Sequence, residues 1–187
     1  MAETRTRNRA RTEAELVAAA RALVEVQTYE SIRVRDIADR VGCNHGLITQ
    51  YFGTKRGLFT HVARELVAEI SSTIAEGGSA PPKLDQPTTA TFWRLTAALL
   101  DAGMDPSEIM VESISAVDAV AKRAGDLSGS SFNQARAVAG FVVLMSGGYH
   151  VFGDLVAATI APSGDPAEAQ ANFERTVFAL IRGLATP

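Results

Sequence analysis

The sequence predicts an all-α chain in which a small N-terminal three-helix unit leads into a larger helical body. Three observations predict it. Apolar residues recur at three- and four-residue spacing from Leu16 to Leu184, and no stretch alternates as a half-buried strand would. A turn-rich segment, GGSAPPKLDQP at 77–87, marks a change of composition. Charge is also unevenly shared: residues 1–60 hold ten Lys/Arg against seven Asp/Glu, and residues 61–187 hold eight against fourteen.

Composition bounds the rest. At 187 residues and 47% hydrophobic content the chain has room for a substantial core. No apolar run reads best as a bilayer span, and the N-terminus is basic without an apolar signal core, so a cytoplasmic protein is expected. The lone Cys43 allows no intramolecular disulfide, and three scattered histidines offer no metal-ligand spacing. No cofactor is expected.

The elements follow in order. Residues 1–10 form a basic arm, with Arg5, Arg7 and Arg9, and Arg11 just after it, alternating with small or polar residues. It is expected to be flexible, either a solvated tail or a reach toward phosphates or a minor groove. From Thr12 the pattern turns helical, with Leu16, Ala19, Ala20, Leu23 and Val24 on one face and Thr12 with Glu15 spaced as a capping box.

The stretch VRDIADRVGCNHGLITQYFGTKRGL, residues 34–58, then reads as a helix-turn-helix. Ile37, Ala38 and Val41 form the inner face of its first helix, and a bulky residue at 38 would push the second helix away. Gly42 turns the chain at positive φ, and Asn44 caps the second helix. Ile48 and Tyr51 fall one turn apart on that helix's buried side. His45, Gly46, Leu47, Thr49 and Gln50 include the exposed face, whose hydrogen-bonding side chains suit base edges in a major groove. Arg35 lies at a helix N-terminus, where a phosphate is favoured. Tyr51 combines a core-facing ring with a hydroxyl for phosphate, and Lys55 follows Thr54 as N-cap of the next helix. Cys43 reads as a small packing residue rather than a redox switch.

This stretch, with Tyr51-Phe52-Gly53-Thr54-Lys55, Leu58-Phe59 and the preceding helix end at Thr28-Tyr29, resembles the DNA-binding domain of TetR-family transcriptional regulators. The resemblance covers roughly the first third of the chain. It departs where Thr28 replaces a Gly, Arg33 a capping Thr or Ser, and Thr49 the usual Tyr. It implies that Tyr51 and Lys55 contact phosphate. A DNA-binding set of Arg35, Asn44, His45, Gly46, Thr49, Gln50, Tyr51 and Lys55 is therefore expected on a domain spanning 11–66.

The body, 67–187, is expected to be an effector-binding and dimerisation domain. A helix from Lys55 to about Glu76 enters it, another covers roughly 88–103, and Asp105-Pro106 restarts the chain as cap and first helical residue. The next helix carries Ile109, Met110, Ile114, Val117 and Val120 and is broken at GDLSGSS, 125–131. Helices at about 131–161 and 165–184 carry surplus apolar surface, as a homodimer built on an intersubunit four-helix bundle would need. Trp93, Met110, Phe141, Met145, Tyr149 and His150 are candidates to line a site for a small apolar or amphipathic effector, and the same residues would serve equally as core. The function expected is a sequence-specific, non-enzymatic regulator, a homodimeric repressor released from palindromic operator DNA by its effector. The alternative is a ligand-binding or enzymatic bundle with a vestigial DNA-binding head, for which the body shows no catalytic constellation.

Overall fold

The structure is a computed structural model that describes residues 2–76, 86–129, 131–160, 165, 168, 171–172, 175–176 and 179. It is all-α among those residues: α1 (Ala2–Val24), α2 (Val34–Val41), α3 (Gly46–Phe52), α4 (Lys55–Glu76), α5 (Pro87–Asp101), a 3₁₀ turn (Pro106–Ile109), α6 (Met110–Ser128) and α7 (Phe132–Ile160). The chain divides into two compact units. One comprises Met1–Leu66 with Arg94–Met110; the other comprises Val67–Trp93 with Val111–Pro187.

In the first unit Leu16, Ala20, Ile32, Ile37, Ala38, Ile48, Leu58, Phe59, Val62 and Leu66 are buried. Tyr29 meets Phe59 edge to face at 5.2 Å. The expected start of α1 at Thr12 is wrong. Thr12 lies inside a helix that begins at Ala2, and its hydroxyl donates to the Asn8 carbonyl rather than capping. Arg9–Glu13 at 2.7 Å and Arg11–Glu15 at 2.8 Å supply i,i+4 ion pairs that favour helix where an irregular arm was expected. Glu15 is thereby taken up by Arg11, not by a capping box.

Arg94–Met110 sides with this unit rather than with the body. Leu95, Leu99, Met104 and Ile109 are buried there. Asp105 accepts the Ser107 N–H at 2.8 Å and Glu108 accepts the Asp105 N–H at 3.0 Å, a reciprocal cap on the turn that Pro106 opens. Two α4 arginines grip this segment. Arg56 donates to the Gly103 carbonyl and lies 3.8 Å from the Glu108 carboxylate, and Arg64 donates to the Glu108 carbonyl at 2.7 Å.

In the second unit Val120 and Ala121 of α6 form a cluster with Ala135 and Ala139 of α7, with Ile74 and Val117 against it. Small residues at 135 and 139 let the two helices approach closely. Arg136 pairs with Asp118 at 3.1 Å. α7 runs uninterrupted through Gly147 and Gly148, and its Phe132–Gly153 stretch is long and apolar enough to cross a membrane by length and composition. A line of its side chains is left exposed: Leu144 at 71%, Val151 at 40% and Leu155 at 68%, spaced i, i+7, i+11, with Phe152 alongside. The helix expected at 165–184 lies mostly outside the described residues; those described between 168 and 179 are helical.

Candidate nucleic-acid interface

The interface is built by two abrupt turns on either side of a seven-residue helix. α2 ends in a Schellman arrangement: the Cys43 N–H reaches the Ala38 carbonyl at 3.0 Å, and the Gly42 N–H reaches that of Asp39 at 3.2 Å. This requires Gly42 at φ 72°, where a side chain would be strained. Asn44 then accepts the Gly46 N–H at 2.8 Å and starts α3. At the far end Gly53 closes a tight turn in which the Thr54 N–H meets the Phe52 carbonyl at 2.8 Å. Thr54 caps α4 by accepting the Gly57 N–H at 3.0 Å.

The Phe52 carbonyl thus points into the first turn of α4. A Cβ at position 57 would stand 2.1 Å from that oxygen, so only glycine lets α4 begin there. α3 contributes a single fully buried side chain, Ile48, to a unit in which Ile37 and Ala38 of α2 are also buried.

α3 therefore presents one face outward. His45, Gly46, Thr49 and Gln50 are exposed, as are Asn44 and Arg35, while Leu47 and Tyr51 are half-buried. His45 occupies the position just before α3 in helical conformation and makes no side-chain cap, so its imidazole is not spent on the turn. At the N-terminus of α2, the Arg33 N–H donates to Asp36 at 3.1 Å, the returning half of a capping box, while Arg33 offers no side-chain cap where a Thr or Ser would. Two residues do not lie as simply as the sequence implied. Arg9 of α1 sits over the Tyr51 ring, 5.0 Å from its centroid. Lys55 turns inward: its ammonium donates to the Tyr29 carbonyl and lies 4.2 Å from the centre of the Tyr29 ring. Burial holds its pKa below the ordinary lysine range, with Glu30 opposing that shift. To reach a phosphate, Lys55 must exchange the Tyr29 carbonyl for it.

Cys43 sits half-buried in the turn, where burial and then Glu15 push its thiol pKa up and keep it protonated. Among the described residues no cluster of His, Cys, Asp or Glu is arranged to hold a metal ion.

The effector candidates fall in the second unit. Trp93 donates its indole N–H to Ser146 at 3.1 Å, packs edge to face against Phe92 at 5.1 Å and lies on Gly147. Phe141, Met145, Tyr149 and His150 are half-buried along α7, with Tyr149 and His150 in ring contact at 5.3 Å. Met110 begins α6, but its side chain lies outside the described residues. Sequence reasoning missed Ser146 and the two gripping arginines, Arg56 and Arg64. Their contacts join residues more than forty positions apart, and no local pattern announces them.

Comparison with known proteins agrees with this geometry. Residues 16–62 match the family model described as "Bacterial regulatory proteins, tetR family". No curated protein matches. Among solved structures, the chain is similar to the TetR family repressor AlkX from Dietzia sp. strain DQ12-45-1b, implicated in biodegradation of n-alkanes. The identity is 14% over 93% of this chain and 97% of that one, with a TM-score of 0.51. Looser matches are a putative transcriptional regulator from Pseudomonas aeruginosa PAO1, with 17% identity, 92% and 91% coverage and a TM-score of 0.47, and a TetR-family regulator from Streptomyces coelicolor A3, with 20%, 92%, 95% and 0.41. The family match runs from Leu16 in α1 to Val62 in α4, through the helices that build the interface, and over 93% of its length the chain shares the fold of AlkX. Residues 16–62 thus form the helix-turn-helix head of bacterial regulatory proteins of the tetR family, and a helical body follows it.

Proposed function

We propose that the protein is a homodimeric repressor that binds a near-palindromic operator and leaves it when a small apolar or amphipathic effector occupies the body. The observation that carries this reading is the outward face of α3. His45, Thr49 and Gln50 are exposed on a helix fixed at both ends by turns, which suits rigid presentation to base edges. The exposed line Leu144, Val151 and Leu155 on α7 supports the dimer, since covering the apolar area that these side chains leave in water is favourable. The same surface accounts for the apolar length of α7 without a bilayer. Its buried side already packs on α6, and its one described arginine, Arg136, is ion-paired.

An effector seated beside Trp93 and Ser146 would act by favouring a dimer with the wrong half-site spacing. Operator DNA must then weaken effector binding by the same factor. Trp93 is the only tryptophan in the chain, so its emission reports on that site directly.

The test is selection of bound sequences from a random duplex library at near-physiological salt. Enrichment of a near-palindrome with half-site centres roughly 34–36 Å apart, or a multiple of that, is expected. No enrichment from folded protein would refute the reading. Leu144→Glu should turn the dimer into a monomer by sedimentation and abolish palindrome binding. A persistent dimer would remove α7 from the interface.

A further inference from the structure

We infer that Arg9 is part of the DNA interface, docked on Tyr51 of the recognition helix and held in reserve by Glu13. The inference rests on reading the head as a duplex binder. It adds to that reading an element from outside the helix-turn-helix, and with it a residue that tempers affinity.

Three observations carry it. Because α1 begins at Ala2, Arg9 stands on a helix packed in the same unit as α3. Its guanidinium lies 5.0 Å from the Tyr51 ring centroid, so it is fixed beside the helix that would enter the groove. Its Nε is 2.7 Å from Glu13 Oε1, and the side chain is 56% exposed.

The chemistry follows from the shape of the guanidinium. One face rests on the ring and one edge serves Glu13. The four N–H donors on Nη1 and Nη2 form the fork that matches a phosphate. Duplex DNA carries a charge about every 1.7 Å along its axis, so a helix lying in the major groove has phosphates along both walls. A phosphate approaching the Tyr51 hydroxyl meets Arg9 as well. Stacking also limits the motion of the Tyr51 ring, so Arg9 positions that hydroxyl in addition to offering its own contact.

Glu13 sets the strength of this contact. Its carboxylate competes with phosphate for the same guanidinium and repels the polyanion. An exposed i,i+4 pair is weak beside a charge-assisted phosphate contact, so Arg9 can be drawn away from Glu13 when DNA arrives. The pair thus lowers affinity for any duplex without touching sequence preference. In a protein with an acidic body and a basic head, it is a local means of limiting non-specific binding.

The experiment is a salt series of binding to mixed-sequence duplex DNA by the full-length protein, with thermal midpoints recorded for each variant. Arg9→Ala should bind several-fold more weakly and lower the slope of log K against log salt by about one unit. Arg9→Lys should keep the slope. Glu13→Gln should bind more tightly than wild type. If Arg9 only fastens α1 to α3, Arg9→Ala will lower the midpoint and leave the slope unchanged, and the inference is overturned. Equal or weaker binding by Glu13→Gln overturns it independently, even if Arg9→Ala fails to fold. Wild-type protein without salt-dependent duplex binding would instead remove the reading on which the inference rests.

Discussion

Replacing Gly57 with alanine sets two effects of opposite sign against each other, and the structure decides which wins. Helix propensity alone favours the change by up to about 1 kcal/mol, since Gly57 lies in the first turn of α4. A Cβ there would stand 2.1 Å from the Phe52 carbonyl oxygen, where ordinary contact begins at 3.4 Å. The neighbour must therefore recede by roughly an ångström, an overpacking displacement of the kind that costs about 1–3 kcal/mol. The oxygen is backbone, so relief requires either moving the start of α4 or turning the Phe52 carbonyl. The second route breaks its 2.8 Å bond from the Thr54 N–H, a further loss of about 0.5–1.5 kcal/mol. A net destabilisation of about 1–3 kcal/mol is expected. At about 2–4 °C per kcal/mol for a chain of this size, the thermal midpoint should fall by several degrees. Duplex binding should weaken too, because the turn that moves is the one holding the C-terminal end of α3. Thermal unfolding of both proteins measures the first effect and a DNA titration below the transition measures the second. A midpoint equal to or above wild type would refute the reasoning, because propensity would then have won and the Phe52 carbonyl would not constrain α4.

Three further outcomes are expected. At Gly42, where the restriction is φ 72° and no atom lies within 4 Å of an added Cβ, Gly42→Asn should cost less than Gly42→Val in urea unfolding, because Asn tolerates the left-handed region and a β-branched residue does not; equal losses would contradict that. Cys43, its thiol pKa raised by burial, should be alkylated by iodoacetamide at neutral pH more slowly than a small-molecule thiol, and a faster rate would mean a thiolate that the site does not favour. Asp105 has its carboxyl pKa depressed, chiefly by the Ser107 backbone N–H, so its stabilising effect is complete above the ordinary aspartate range near pH 4 and is lost as pH falls through the lower folded value. The stability gap between wild type and Asp105→Asn should therefore be constant at neutral pH and close on acidification, and a gap that widens there would reverse the sign.

The head was legible where its signals were local. Gly42, Asn44 and Thr54 each serve a turn or cap whose partner lies within a few residues, and α4 begins at Lys55 and ends at Glu76 as its pattern implied. Asp105 and Pro106 likewise open their turn as expected. Legibility failed where a local pattern admitted two outcomes. Alternating arginines look like a solvated arm, yet the same spacing places Arg9 and Arg11 four residues ahead of Glu13 and Glu15, and the pairs carry the helix back to Ala2. It failed again where the deciding contact was distant. Nothing near Lys55 says that its ammonium turns to Tyr29, and nothing near Gly103 or Glu108 says that Arg56 and Arg64 hold them. In the body, Trp93 was singled out by type, but its hydrogen bond to Ser146 depends on how α5 meets α7.

The grip of Arg56 and Arg64 on residues 103–108 makes the DNA-binding head discontinuous along the chain. Its interior includes Leu95, Leu99, Met104 and Ile109, encoded well after the point where α4 leaves the head at Leu66. A fragment ending at Leu66 would keep every expected DNA contact and still lack part of its own core. Such a fragment should be poorly soluble and weakly folded, and a chimera that borrows this head must carry residues 94–110 with it. The head is therefore not a contiguous N-terminal cassette: moving it into another chain means moving two separate stretches of sequence together.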